Sequence, residues 1–149
     1  MAKFQSTKTF DHNLGFSCAF RQWRADSHCS FVHGYPLSFK FVFGANELDG
    51  RNWVVNFGGL KEIKKWLEYM FDHTYCAADD DPELETFKLL HEKKLIDLRI
   101  IPGGVGCERT AELVGNYVND YVVKESGGRC WVESCEVREH SANSAIYFP

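Results

Sequence analysis

Between residues 37 and 43 the side chains alternate strictly. Leu37, Phe39, Phe41 and Phe43 are separated by Ser38, Lys40 and Val42, the period of two that belongs to a β-strand with one buried face. From Gly59 onward the period changes. Leu60, Ile63, Leu67, Met70 and Phe71 recur at three- and four-residue spacing while Lys61, Glu62, Lys64, Lys65 and Glu68 cover the other side, which predicts an amphipathic helix. A chain carrying both patterns must pack a sheet against helices.

The remaining segments extend that reading. Lys3 to Phe20 reads as a strand pair or one long bent strand with Gly15 at the bend, and the His33-Gly34-Tyr35-Pro36 segment as the turn before the alternating strand. The acidic stretch 77–82 reads as a loop. Pro82 behind three aspartates then starts a second helix through about Leu95, because proline lacks only a donor that the first turn leaves unused. Leu98 to Ile101 is a short strand. Glu108 to Lys124 repeats the helical spacing through Ala111, Val114, Val118, Tyr121 and Val122, and Gly127 with Gly128 turns the chain back. Cys130 to His140 follows as a strand with Trp131, Glu133, Cys135, Val137 and Glu139 on one face, partnered by Ala145 to Phe148 across an Asn143-Ser144 turn. The order strands, helices, strands predicts an α+β fold, an antiparallel sheet with helices packed on one face. The glycine pairs at 58–59 and 103–104 match no phosphate-binding loop.

Composition narrows the function classes. A chain of 149 residues, 44% apolar and 26% charged, reads as one domain over 1–149 able to bury a core without staples. No apolar run reaches the length of a membrane span and the opening residues lack a secretory stretch, so the expected address is the cytoplasm, with no membrane partner. A net charge of -4 gives no basic field for nucleic acid, although Arg21 and Arg24 form a local cationic pair that could meet a phosphate. The six cysteines are irregularly spaced without a CxxC pair and read as reduced thiols.

Three constellations have the residue types that chemistry needs. Cys29 lies beside His28 and four residues before His33; cationic neighbours would hold its thiolate ready as base or nucleophile, the alternative being one more buried cysteine. Asp72 directly precedes His73 at the end of the first helix, where the carboxylate can set the imidazole's tautomer, or the imidazole can meet the last helical carbonyls. Glu139 shares its strand face with Val137 and Cys135. A carboxylate there needs a salt bridge or a ligand, and adjacent ring N–H and amino donors suit it in bidentate fashion.

In order, residues 16–20 (FSCAF), 29–35 (CSFVHGY), 53–61 (WVVNFGGLK), 71–73 (FDH), 107–113 (CERTAEL) and 137–147 (VREHSANSAIY) resemble successive blocks of the 6-pyruvoyl- and 6-carboxy-tetrahydropterin synthases, over nearly the whole chain. The resemblance implies the tunnelling fold, in which strands of several subunits form an oligomeric barrel, and so a homo-oligomer, a hexamer. It implies a lyase acting on 7,8-dihydroneopterin triphosphate or a close analogue in pterin or queuosine-type deazapurine synthesis. By block, Cys29, Asp72 and His73 handle protons and Glu139 anchors the ring, with Glu108 beside it in substrate binding. The family's zinc is held by three histidines, and their positions fall on Phe20, His33 and Tyr35. One ligand of three remains, with Cys18 and His28 as candidate replacements. Asn56 stands where the family has aspartate, and Val105, Gly106 and Cys107 replace Pro-Thr-Ser before Glu108. These departures make zinc doubtful here and open a second expectation, a metal-free pterin- or purine-binding protein.

Overall fold

The structure, a computed structural model, describes residues 1–149. In chain order it contains β1 (Phe4–Phe10), β2 (Phe16–Phe20), β3 (His33–Ala45), α1 (Lys61–Phe71), β4 (Thr74–Ala78), α2 (Leu84–Glu92), β5 (Leu98–Ile101), α3 (Cys107–Glu125), β6 (Cys130–His140) and β7 (Asn143–Tyr147). The seven strands form one sheet in the order β5-β4-β2-β3-β6-β7, with β1 on β3. The 13 residues of β3 organise it. One edge of β3 takes β2 against its first half and β1 against its second, and the other edge takes β6. The bend between β1 and β2 is a single 3-10 turn closed by Gly15 in the left-handed conformation at φ 74°.

The alternation at 37–43 does what the period requires. Leu37, Phe39, Phe41, Phe43 and Ala45 are all buried, and the core continues through Ile63, Leu67 and Phe71 of α1 and Ala111, Val114, Val118 and Val122 of α3. The two long helices therefore lie on the same face. Trp66 of α1 stacks on Tyr117 of α3 at 3.7 Å between ring centroids, which ties them side by side.

Six expectations need correction, the simplest being the Asn143-Ser144 turn, since both residues belong to β7 and the chain turns at 141–142. The His33–Pro36 segment is strand, not turn: Phe20 to Phe16 pair with His33 to Leu37 in register. Gly34 permits this, because a Cβ there would sit 2.5 Å from the Cys18 carbonyl oxygen. The sheet is mixed rather than purely antiparallel, since β4 runs parallel to both β2 and β5. The second helix begins at Leu84 and ends at Glu92, two residues before Lys94 turns left-handed at φ 60°. That helix also covers the opposite face, where Phe87 stacks on Tyr75 in a separate small core with Ala77. In β6, a bulge opposite Val42 and Phe43 reverses the parity. Cys130 and Val132 face the core with Cys135 and Val137, so Trp131 and Glu133 leave the face predicted for them.

The acidic turn after β4 is neutralised by the arginines that sequence left free for a phosphate. Arg21 meets Asp81 in bidentate fashion at 2.8 and 2.6 Å, and Arg24 meets Asp80 at 3.0 Å. The Asp81 side chain is 1% exposed and also accepts the Glu83 N–H. The Arg21 guanidinium holds its carboxyl below the usual range, against the opposing effect of burial. Arg21→Ala strands that carboxylate and is expected to cost on the order of 3 kcal/mol, or about 10 °C in melting temperature. Because the folded-state value is depressed, the stabilisation is present above the unfolded carboxylate's value and disappears as pH falls through the folded one. The gap between wild type and variant in thermal melts should therefore shrink in acid.

Candidate functional site

The core face of β2 and β3 opens at one end of the sheet. Antiparallel partners point to the same side, so Phe20 with His33 and Cys18 with Tyr35 extend the row of Phe16 and Leu37 outward. The rings of Phe20, His33 and Tyr35 form a triangle with centroid separations of 5.1, 5.6 and 6.1 Å. Three imidazoles on one zinc, with nitrogens at about 2.0 Å, place their centroids roughly 5 Å apart. The triangle thus has the spacing of a three-histidine shell. His33 even has the orientation of a ligand, its Nδ1 bonded to the Phe31 carbonyl at 2.7 Å so that Nε2 faces away from the backbone.

The donors do not fit that ion. Phe20 offers no lone pair and is 5% exposed. Burial first, and then the Glu139 carboxylate with the Cys29 and Cys107 thiols, hold the Tyr35 phenol above its ordinary value, which opposes the phenolate a metal would want. Cys18, a candidate replacement, is buried and its thiol is pushed far up by its contact with Cys76 and by burial. His28, the other, is an exposed residue of the 3-10 turn that carries Cys29. No group of three His, Cys, Asp or Glu side chains in the chain lies close enough to hold a metal ion.

Around the triangle the structure gathers several of the expected residues. Tyr35 contacts His140 at 5.9 Å between centroids. Next to His140, Glu139 faces Cys107 at the start of α3, whose thiol is pushed up to about 12 by burial first and then by Glu139. Glu139, Cys107 and Glu108 line a cavity of about 440 Å³ with Gln22, Ala142, Asn143 and Ser144. Cys29 joins through its loop: its carbonyl accepts the Gln22 N–H at 2.9 Å. The Gln22 side chain lies across Gly106, where a Cβ would fall 2.0 Å from Nε2 and φ is 105°, so only glycine fits. The positive φ is the physical reason for Gly106 in the departed 105–107 block, since the flexible Gln22 amide could move aside. Gln22 itself was not predicted, and its one signal is proximity to Phe20.

Asp72 and His73 are placed elsewhere. They pair with each other at 2.5 Å at the end of α1, where His73 is left-handed at φ 59° and its N–H bonds the Ser17 carbonyl. The His73 side chain is 88% exposed and lines a separate hollow with His91, Lys94 and Asp97. No hydrogen bond or ion pair joins this couple to Cys29 within one chain.

Comparison with known proteins bears on the family and the fold. A family profile described as 6-pyruvoyl tetrahydropterin synthase matches residues 9–149. A 6-carboxy-5,6,7,8-tetrahydropterin synthase of Rickettsia conorii is 31% identical over 72 residues, 48% of this chain and 52% of that protein. The corresponding enzyme of Rickettsia felis is 35% identical over 57 residues, 38% and 41% of the two chains. The matched stretch thus spans about half the length of these curated relatives or less. Among solved structures, an uncharacterized protein from Wolinella succinogenes superposes with a TM-score of 0.83 at 18% identity over 97% of both chains. The 6-pyruvoyl tetrahydropterin synthase of Plasmodium vivax does so at 0.68 and 13% identity over 99% of both. No helix is long and apolar enough to cross a membrane. With a profile match over nearly its whole length and this α+β fold, the chain belongs to the 6-pyruvoyl tetrahydropterin synthase family.

Proposed function

We propose that the chain is a lyase of the tetrahydropterin synthase type acting on 7,8-dihydroneopterin triphosphate or a close analogue, in pterin or queuosine-type deazapurine synthesis in the cytoplasm. The observation that carries the reading is the hollow that Glu139 and Cys107 line with Glu108 and Gln22, bordered by the Cys29 loop through the Gln22 N–H and by Tyr35 through His140. Glu139 takes the donor edge of the ring, since a carboxylate accepts two neighbouring N–H groups at once. Glu108 lies beside it in the same cavity. Cys29 removes a proton from a side-chain carbon and His73, oriented by Asp72, returns one to the carbon skeleton, while the C–O bond to the triphosphate breaks and triphosphate leaves with the electron pair. Only hydrogen bonds stabilise the developing charge, so turnover should be slow, a deficit of several kcal/mol in the barrier.

Because Asp72 and His73 have no hydrogen bond or ion pair to Cys29 within one chain and His73 lines a separate hollow, the complete site in this reading needs a second copy of the chain. A homo-oligomer, by family resemblance a hexamer, meets that need. The outer edges of β1 and β7 have no partner strand, and open edges are templates for pairing between chains. Cys29→Ala and His73→Ala are each expected to lose at least ~100-fold in turnover. Subunits of the two variants, mixed and reassembled, should recover activity, because some sites then receive an intact Cys29 and an intact His73. Inactive mixtures of two folded, active-site-defective variants would place both residues in one chain's site.

The aromatic triangle favours a second reading, a metal-free pterin- or purine-binding protein. Phe20 and Tyr35 can pack on a flat ring, and neither ligates zinc. Wild-type protein that binds neopterin but leaves dihydroneopterin triphosphate unchanged would select this reading over the lyase.

A further inference from the structure

We propose that the Tyr35 hydroxyl is a specificity-determining donor that binds an oxygen on the side chain carried by the ring, an inference that rests on a ring anchored at Glu139. Three observations lead to it. First, Tyr35 and Phe20 hold equivalent places in the triangle but differ in surroundings. Phe20 is buried and packs, whereas Tyr35 is half-buried and faces His140 and the site. Packing alone would be met by a second phenylalanine. Second, no hydrogen bond within the chain engages the Tyr35 hydroxyl, which feels burial first and then the Glu139, Cys29 and Cys107 charges. A half-buried hydroxyl without a protein partner is a donor left for water or a ligand. Third, Glu139 and Cys107 line one hollow with Gln22, whose N–H bonds the Cys29 carbonyl at 2.9 Å, and the His140 ring next to Glu139 lies 5.9 Å from Tyr35. A ring held by its donor edge at Glu139 therefore keeps its substituent near both the phenol and the Cys29 loop.

The chemistry of the substituent follows. A hydroxyl donor in this place rewards a side chain with hydroxyl or carbonyl oxygens and gives nothing to hydrogen or alkyl. The interaction is a hydrogen bond only. The O–H stays intact and needs no co-reactant.

The test compares neopterin, which carries a hydroxylated side chain, with unsubstituted pterin by fluorescence titration of wild type and Tyr35→Phe, in the oligomer as purified. Wild type is expected to prefer neopterin. Tyr35→Phe is expected to lose about fivefold of that preference, the worth of one neutral hydrogen bond, while its affinity for unsubstituted pterin stays within twofold. The unsubstituted ring is the internal control for folding and for the anchor. Equal preference in wild type and variant, with the ring still bound, overturns the role of Tyr35 and leaves the ring site standing. Failure of wild type to bind either ring overturns the pterin reading, and this inference with it.

Discussion

Replacing Phe20 and Tyr35 together by histidine is expected to create a site that holds about one zinc ion per subunit. The backbone already places the three rings 5.1 to 6.1 Å apart on one face of paired strands, and His33 already presents Nε2 with Nδ1 fixed on the Phe31 carbonyl. What is missing is donor atoms, not geometry. Either single substitution leaves two donors of three and should give no stoichiometric binding, so the gain is strongly cooperative. Elemental mass spectrometry on dialysed protein reads the outcome. A double variant that folds and still lacks zinc would mean that the strands do not bring positions 20, 33 and 35 to a common point.

Loss of Glu139 should have the next largest effect. If its carboxylate takes two N–H groups of the ring, Glu139→Ala removes two charge-assisted hydrogen bonds and should weaken neopterin binding by ~100-fold. Glu139→Gln, which keeps one acceptor and introduces a misdirected donor, should fall between. The same substitution has a signature independent of any ligand. Cys107 is pushed up to about 12 by burial and by the neighbouring Glu139 charge. Neutralising that charge lowers the thiol's value while burial keeps it above an ordinary cysteine, so alkylation of Cys107 should set in at lower pH in Glu139→Gln than in wild type. Unchanged alkylation together with unchanged ring affinity would remove Glu139 from the site.

Much of the fold was legible because its periods are undisturbed. The alternation at 37–43, the spacing at 60–71 and the boundaries of β5 and β6 all correspond to elements in place. The failures share a cause: tertiary contacts override local signals. Thr74 to Ala78 form a strand buried on every residue, and a five-residue run with no polar face carries no period to detect. His33 to Pro36 looks like a turn by composition, yet Gly34 is there because the Cys18 carbonyl lies against it, a reason invisible without the partner strand. One extra residue at the β6 bulge moved Trp131 and Glu133 off the predicted face, since a single insertion inverts strand parity. Arg21 and Arg24 read as free cations because their partners, Asp81 and Asp80, lie about sixty residues away.

The candidate site divides in the same way. Family spacing alone located Phe20 and Tyr35, local residue chemistry had already marked His33, Cys29 and Glu139, and the structure brings Phe20, His33 and Tyr35 together at one end of the sheet. Gln22 and Cys107 emerged only from packing, the first through its cover of Gly106 and the second through its contact with Glu139. Asp72 and His73 were recognised as a pair, and a pair they are; that they serve the Cys29 of a second copy is part of the proposal, since no hydrogen bond or ion pair joins them to Cys29 within one chain.

The most direct test of a ring site without a three-donor metal centre is the affinity of wild-type protein for neopterin before and after exhaustive chelation. The expected result is the same affinity in both preparations, unaffected by added zinc. Binding that collapses on chelation and returns with one equivalent of zinc would contradict it.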